Sequence, residues 1–206
     1  MTKGGAPCLL LALAVLTALA DGEMQCGDGV AVCGVLALQT GLGPDLYAHP
    51  APAVHGIWPE VAPYGSSACV APRASDANTS VVYPCYAGLT CPNCDDDDAG
   101  DPALAFEAHE WGKHGVCAGV RDADDFFSQM CGLATYPLAI MTSARAAGED
   151  LAGIASAVAS SFSIFEIDNS TAQLYLSACV TPISGFWVLS PVSEFPSVCG
   201  AVDVAT

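Results

Sequence analysis

The stretch "HEWGKHGVC" (residues 109–117) packs His109, Glu110, Lys113 and His114 into six positions of a chain that is nearly empty of such groups elsewhere. Only 4 His and 5 Lys+Arg occur among the 206 residues. Just upstream, Pro102 opens a run of good helix formers, the position where proline suits a first helical turn. A helix over 103–114 stacks Glu110 and His114, four apart, on one face. His109 and Lys113 then stack on a neighbouring stripe, and the four heads converge. A solvated helical face with two i,i+4 pairs has the same spacing. Random surface decoration, however, would not gather the scarce histidines and lysine in one place.

Outward from this stretch the elements alternate in type. "GVLALQT" (34–40) is rich in branched residues and alternates, so it predicts a strand, and "APAVHGIWPE" (51–60) predicts a short strand running into a turn. Residues 64–101 carry Pro, Gly, Ser, several cysteines and "DDDD" without a sustained period, a long stapled loop. "DADDFFSQMCGLA" opens on acids, as helix starts do. "EDLAGIASAVASSF" sets Leu151, Ile154, Ala155, Val158 and Phe162 at helical spacing. "TAQLYLSACV" alternates Leu174, Leu176 and Ala178 against Gln173, Tyr175 and Ser177, a half-buried strand. Mixed elements without a βαβ rhythm point to an α+β fold in one domain. No internal repeat is present.

Residues 1–20 carry Lys3, the apolar run "CLLLALAVLTALA" and small residues before Asp21, the pattern of a secretory signal peptide. The expected division is a signal over 1–20 and one domain over 21–206. Loss of the signal removes Lys3 and no acid, which takes the formal charge from −17 to −18. Lys113 is then the sole lysine, and a chain without a basic patch repels polyanions on average. No later apolar run is long enough to span a bilayer. Removal of Cys8 takes eleven cysteines to ten. An even number in a secreted chain reads as disulfides. Asn78-Thr79-Ser80 and Asn169-Ser170-Thr171 match the glycosylation acceptor pattern.

The chemistry narrows next. A zinc peptidase needs H-E-x-x-H, with its histidines at i and i+4 on one face. Here they are five apart, about 140° around a helix, and cannot both grip one ion without distortion. General acid–base work at phosphorus fits better. One imidazole takes a proton, another gives one, and an ammonium steadies the extra charge on the oxygens. That scheme asks for a histidine from another segment, and "HGIWP" (55–59) supplies His55, with Trp58 as a platform on which a base can stack.

"HGIWP" and "HEWGKHGVC" resemble the two active-site segments of the ribonuclease T2 family, HGLWP and HEWxKHGxC. "LALQT" (36–40) resembles the family's first strand, with Gln39 matching and Thr40 replacing a tryptophan. "DDFFSQMCGL" and "LYLSACV" resemble a helix and a late strand. The resemblance spans residues 33–199.

It implies a secreted or vacuolar/lysosomal α+β endoribonuclease, with a mainly antiparallel sheet packed by helices. The enzyme would be monomeric, would need no cofactor or metal, and would have single-stranded RNA as its partner. Cleavage would move the 2′-hydroxyl onto phosphorus, giving a 2′,3′-cyclic phosphate and then a 3′-phosphate. By position, His114 is the base and His55 the acid, although the sequence itself permits the reverse. Glu110 and Lys113 match residues that stabilise the pentacoordinate state, and His109 a phosphate-binding histidine. Trp58 and Gln39 are base-binding candidates. The resemblance also suggests disulfides Cys69–Cys117 and Cys179–Cys199, beside a local closure of Cys26 with Cys33. The pairing of Cys85, Cys91, Cys94 and Cys131 stays open. A catalytically idle secreted binding protein is the alternative.

Three departures stand out. Glu107 sits where the family has an aromatic residue, Glu60 replaces an aspartate, and "CPNCDDDDAGD" is an unusual insert, read as a disulfide-pinned acidic loop. The acidity itself suggests work at low pH. Carboxylates in water titrate near pH ~4 and histidines near ~6.5. At pH 4–5 the acids would be partly neutral and the histidines cationic, so the site would become locally positive.

Overall fold

The computed structural model describes residues 24–60, 70–74, 79–86 and 101–201. The expected signal peptide, Cys69, Cys91, Cys94, Asn78 and positions 95–100 of the acidic insert lie outside the described residues.

The fold is α+β, as the mixture of patterns predicts. Among the described residues five strands, β1 (Cys33–Gln39), β2 (Ala53–Pro59), β3 (Ile164–Asp168), β4 (Gln173–Val180) and β5 (Trp187–Leu189), form one sheet. Its order is β2-β1-β4-β3, with β5 also paired to β4, and every pairing is antiparallel. The helices are α1 (Pro102–Lys113), α2 (Ala123–Ala146), α3 (Leu151–Ala159) and the single turn α4 (Phe195–Val198).

Aspartates start the three long helices. Asp101, Asp122 and Asp150 each accept a first-turn backbone N–H at 2.9 Å, which satisfies a donor that a helix cannot bond internally. Helix α2 runs past the expected segment, through Pro137, to Ala146. Proline lacks an N–H and interrupts one rung of the ladder. Its ring is buried, however, and the residues around it are mostly helix formers.

Directly paired residues of an antiparallel sheet share a face, so the register sorts the side chains. Leu36, Leu38, Val54, Ile57, Leu174 and Leu176 turn one way and are fully buried. They meet Phe126, Phe127, Met130 and Met141 of α2 and Ile154 and Val158 of α3 in the main core. Each such side chain contributes about 1.5–3 kcal/mol by leaving water. The opposite face carries a smaller cluster of Met24, Cys33, Val35, Cys179, Phe195 and Cys199. Disulfides Cys26–Cys33 and Cys179–Cys199 staple that cluster, both as expected. A third, Cys85–Cys131, ties the segment before α1 to α2 and settles two of the four open cysteines. Cys117 is disulfide-bonded; its expected mate, Cys69, lies outside the described residues.

Covering both faces changes one expectation. Strand β4 is not half-buried, since Gln173 and Ser177 are 2 % and 1 % exposed. Their polarity is met by hydrogen bonds rather than by water: Ser177 donates to the Ser190 carbonyl at 2.7 Å, and Gln173 contacts His55.

Candidate active site

His55 owes its direction to an irregularity in the sheet. Opposite Ala37 and Leu38 of β1 stand Gly56 and Val54, so His55 is the extra residue of a β-bulge. Bulges re-aim a side chain out of the strict alternation. The His55 ring packs beside Phe106 of α1, with centroids 5.5 Å apart, and edge-on to Trp58 at 4.9 Å. Its carbonyl accepts the Tyr86 hydroxyl at 2.8 Å. Its Nδ1 lies 2.6 Å from the Gln173 amide oxygen.

Helix α1 brings the second half. Its inward stripe is Ala103, Phe106, Glu107, Glu110 and Trp111, and His114 caps the helix with its N–H on the Glu110 carbonyl. Glu110 is 1 % exposed and His114 7 %, whereas His109 and Lys113 face solvent. The two stripes therefore divide as the helical spacing predicts: a buried Glu110/His114 pair beneath an exposed His109/Lys113 pair. His109 and His114 do not share a face. Among the described residues no group of three His, Cys, Asp or Glu side chains is arranged to hold a metal ion.

The halves meet at Glu110. One carboxylate oxygen accepts the Trp58 indole N–H at 3.1 Å, and the other stands 3.6 Å from Nε2 of His55. Trp58 stacks on His114, with centroids 5.4 Å apart and planes 28° off parallel, and leans on Tyr175. The structure thus gathers His55, Trp58, Glu110 and His114 into one cluster. Gly56 is required beside it, because a Cβ there would overlap the Glu110 carboxylate. Gln39 shares the site's face of the sheet but is 4 % exposed, and its amide oxygen meets Nε2 of His49 at 2.7 Å.

Electrostatics set the resting state. Burial pushes the Glu110 carboxyl up from 4.5 to about 8, although the Trp58 bond and the Lys113 charge pull the other way. Burial pushes His114 down from 6.5 to about 3, helped by positive charge on Lys113, His55 and His109. His55 is lowered too, first by burial, with its Gln173 bond opposing. The expectation that both imidazoles become cationic at pH 4–5 is therefore corrected. Desolvation keeps His114 neutral there and disfavours the His55 cation. At pH 5–7 the close contact of His55 with Glu110 joins a protonated carboxyl to an imidazole whose cation is disfavoured, not a formed ion pair.

Several supporting residues were not singled out from sequence. Tyr86 braces His55, and Gln173 contacts its ring. Tyr47 approaches His55 with centroids 6.0 Å apart. Glu107, marked in the sequence only as a departure from the family's aromatic residue, is 1 % exposed and accepts the Tyr83 backbone N–H at 2.6 Å and the Thr79 hydroxyl at 2.8 Å. It clamps the segment bearing Tyr86 to α1. A glutamate at an inward helical position was the available signal for that clamp; nothing local marks the others.

Among the described residues no helix is long and apolar enough to cross a membrane. Comparison of the chain with protein-family models, with curated proteins and with solved structures found no match.

Proposed function

We propose that the protein is a secreted, metal-independent endoribonuclease with a ribonuclease T2-like fold. It cleaves single-stranded RNA by transphosphorylation to a 2′,3′-cyclic phosphate and then to a 3′-phosphate. The observation that carries the reading is the meeting of His55, from a bulged strand, with Glu110 and His114, from the end of α1. The two motif segments lie 50 residues apart in sequence and supply complementary groups to one cluster.

His114, held neutral by burial, accepts the 2′-hydroxyl proton as its oxygen attacks phosphorus. His55 gives a proton to the departing 5′-oxygen. A bound phosphodiester raises the proton affinity of both imidazoles, because an anion within a few ångströms favours their charged forms. Glu110, which keeps its proton up to about pH 8, donates to a non-bridging oxygen as negative charge grows there. Lys113 and His109 on the exposed stripe steady the phosphate. Trp58 serves the site by fixing Glu110 as well as by offering its ring to a base.

The test is purified protein with single-stranded RNA in excess EDTA, with products resolved over time. Cyclic phosphate appearing before 3′-phosphate, in chelator, supports the reading. His55→Phe and His114→Phe should each lower turnover by about 10²–10⁴. RNA left intact by the folded wild-type protein overturns the reading.

A further inference from the structure

Behind His55 runs a chain of hydrogen bonds that ends on a carboxylate. Asp168 closes β3, Thr171 lies in the turn, and Gln173 opens β4. Oδ2 of Asp168 takes the Thr171 hydroxyl at 2.5 Å, and Oγ1 of Thr171 takes the Gln173 amide N–H at 2.7 Å. The Gln173 amide oxygen then faces Nδ1 of His55 at 2.6 Å.

The direction of this chain follows from its far end. A carboxylate only accepts, so Thr171 must give Asp168 its single proton and can only accept from Gln173. That turns the Gln173 NH₂ toward Thr171 and its oxygen toward His55. An amide oxygen cannot donate, so Nδ1 of His55 must carry the hydrogen. Asp168 is kept ionised for this purpose. Burial pushes its carboxyl up, but the Ser170 and Thr171 bonds outweigh that and hold it at about 2. The turn is also fixed from the neighbouring strand, where buried Thr40 donates its hydroxyl to the Ala172 carbonyl at 2.7 Å. Ala172 has φ 53°, a left-handed conformation that an alanine adopts only when held there.

We propose that Asp168, Thr171 and Gln173 form a positioning relay that locks His55 as its Nδ1–H tautomer and leaves Nε2 as the reacting nitrogen. Nε2 is the atom that faces Glu110. When His55 acts as acid, the proton on Nε2 passes to the leaving 5′-oxygen, while the other proton stays on Nδ1, donated to the Gln173 amide oxygen throughout. The catalytic consequence rests on the nuclease reading above; the tautomer itself does not.

The experiment is ¹⁵N NMR of histidine-labelled protein at pH 7, with the His55 signals assigned by their loss in His55→Phe. In the wild type, Nδ1 should be pyrrole-like and Nε2 pyridine-like. Gln173→Leu, close in size, should shift His55 toward the Nε2–H form, and Thr171→Val, which frees the amide to turn over, should give a mixture. Gln173→Glu, whose carboxylate can only accept, should restore the wild-type pattern. With RNA, Gln173→Leu should lower kcat about 10- to 100-fold while KM stays within about twofold, the usual effect of losing a partner that orients a working imidazole. Rescue of kcat by Gln173→Glu should follow the tautomer. An Nε2–H tautomer in the wild type, or an unchanged tautomer in Gln173→Leu, overturns the relay. If the wild type cleaves no RNA, the nuclease reading falls and the NMR result still decides the relay.

Discussion

Trp58 and Glu110, 52 residues apart in sequence, are joined by an indole N–H that donates to the carboxyl at 3.1 Å. A residue with the look of a base-stacking platform is thereby also a support for a catalytic acid. Trp58→Phe keeps an aromatic ring against His114 and drops only the donor. The indole bond lowers the Glu110 pKa, so its loss should move the titration above the wild-type value of about 8. Activity should fall by up to about tenfold, since a hydrogen bond to a neutral group contributes about 0.5–1.5 kcal/mol. ¹³C NMR of the labelled carboxyl reads the first effect. A midpoint at or below the wild-type value would sink the assignment.

The two large pKa displacements oppose each other in the folding equilibrium. Glu110 is raised from 4.5 to about 8, so its favourable share is complete below pH 4.5 and is lost as pH climbs toward 8. His114 is lowered from 6.5 to about 3, so its share is complete above pH 6.5 and is lost as pH falls toward 3. Between pH 4.5 and 6.5 the slopes nearly cancel. Denaturant unfolding should nevertheless show Glu110→Gln gaining on wild type from pH 4.5 to 8, by a few kcal/mol, because the difference reads Glu110 alone. His114→Asn should gain on wild type from pH 6.5 down to 3. A Glu110→Gln difference that stays constant from pH 4.5 to 8 would show that the carboxyl titrates normally.

Strands β1 and β4 and helix α3 were legible because Leu36, Leu38, Leu174, Leu176, Ile154 and Val158 follow the periods of two and 3.6 that burial imposes, whereas the short strands β3 and β5 were not anticipated. Helix α1 was read from the run of helix formers after Pro102, and its functional weight from the scarcity of its charged residues elsewhere. Its inward stripe carries Glu107, Glu110 and His114 among Ala103, Phe106 and Trp111, so hydrophobic periodicity alone could not say which face turns in. What escaped the reading is long-range. The bond between His55 and Gln173 spans 118 positions, and Cys85–Cys131 was one of several pairings open to four cysteines. The state of the imidazoles escaped as well, because desolvation depends on neighbours that a sequence does not display.

Glu107 makes a second buried carboxyl testable without any assay of function. Glu107→Ala leaves the Tyr83 N–H without its acceptor, at about 1–3 kcal/mol if it stays unsatisfied, while the Thr79 hydroxyl keeps only its 3.2 Å bond to the Val81 carbonyl. Burial raises the Glu107 carboxyl pKa against its Tyr83 and Thr79 bonds, so Glu107→Gln, which keeps one acceptor, should lose less. Urea unfolding at pH 6 ranks the three proteins. Equal stability of the alanine variant and wild type would mean that the clamp on residues 79–83 does not exist.

Lys113 is distinguished by what the other cations do. Arg121 pairs with Asp122 at 2.9 Å, Arg73 approaches Asp125 at 4.0 Å, and Arg145 donates to the Thr40 and His49 carbonyls at 3.0 Å. Among the described residues no carboxylate pairs with Lys113. Lys113→Met should lower kcat/KM on RNA by about 10- to 100-fold, and Lys113→Arg should recover part of it, a fork being a poor copy of a compact charge. Added salt at pH 7 should leave wild-type activity unchanged or raise it, by screening a chain of formal charge −17. A steep loss with salt, the mark of counterion release by many cations, would show a basic surface that the composition does not contain.

Ligand binding should also move protons. Burial has lowered both His55 and His114, so near pH 5.5 His114 is neutral and the His55 cation is disfavoured. A phosphodiester anion beside them raises their proton affinity, and binding must then be accompanied by proton uptake. The probe is a dinucleotide lacking the 2′-hydroxyl, which cannot be cleaved and whose phosphodiester does not titrate in this range. Calorimetry at pH 5.5 in two buffers of different ionisation enthalpy should give an uptake of about one proton. Affinity should tighten as pH falls from 7 to 5. His55→Phe should reduce the uptake if that imidazole is the one that charges, as its role as acid requires. Zero uptake in the wild type, or affinity that does not change with pH, would mean that the imidazoles do not meet the phosphate, and the acid–base assignment would go with it.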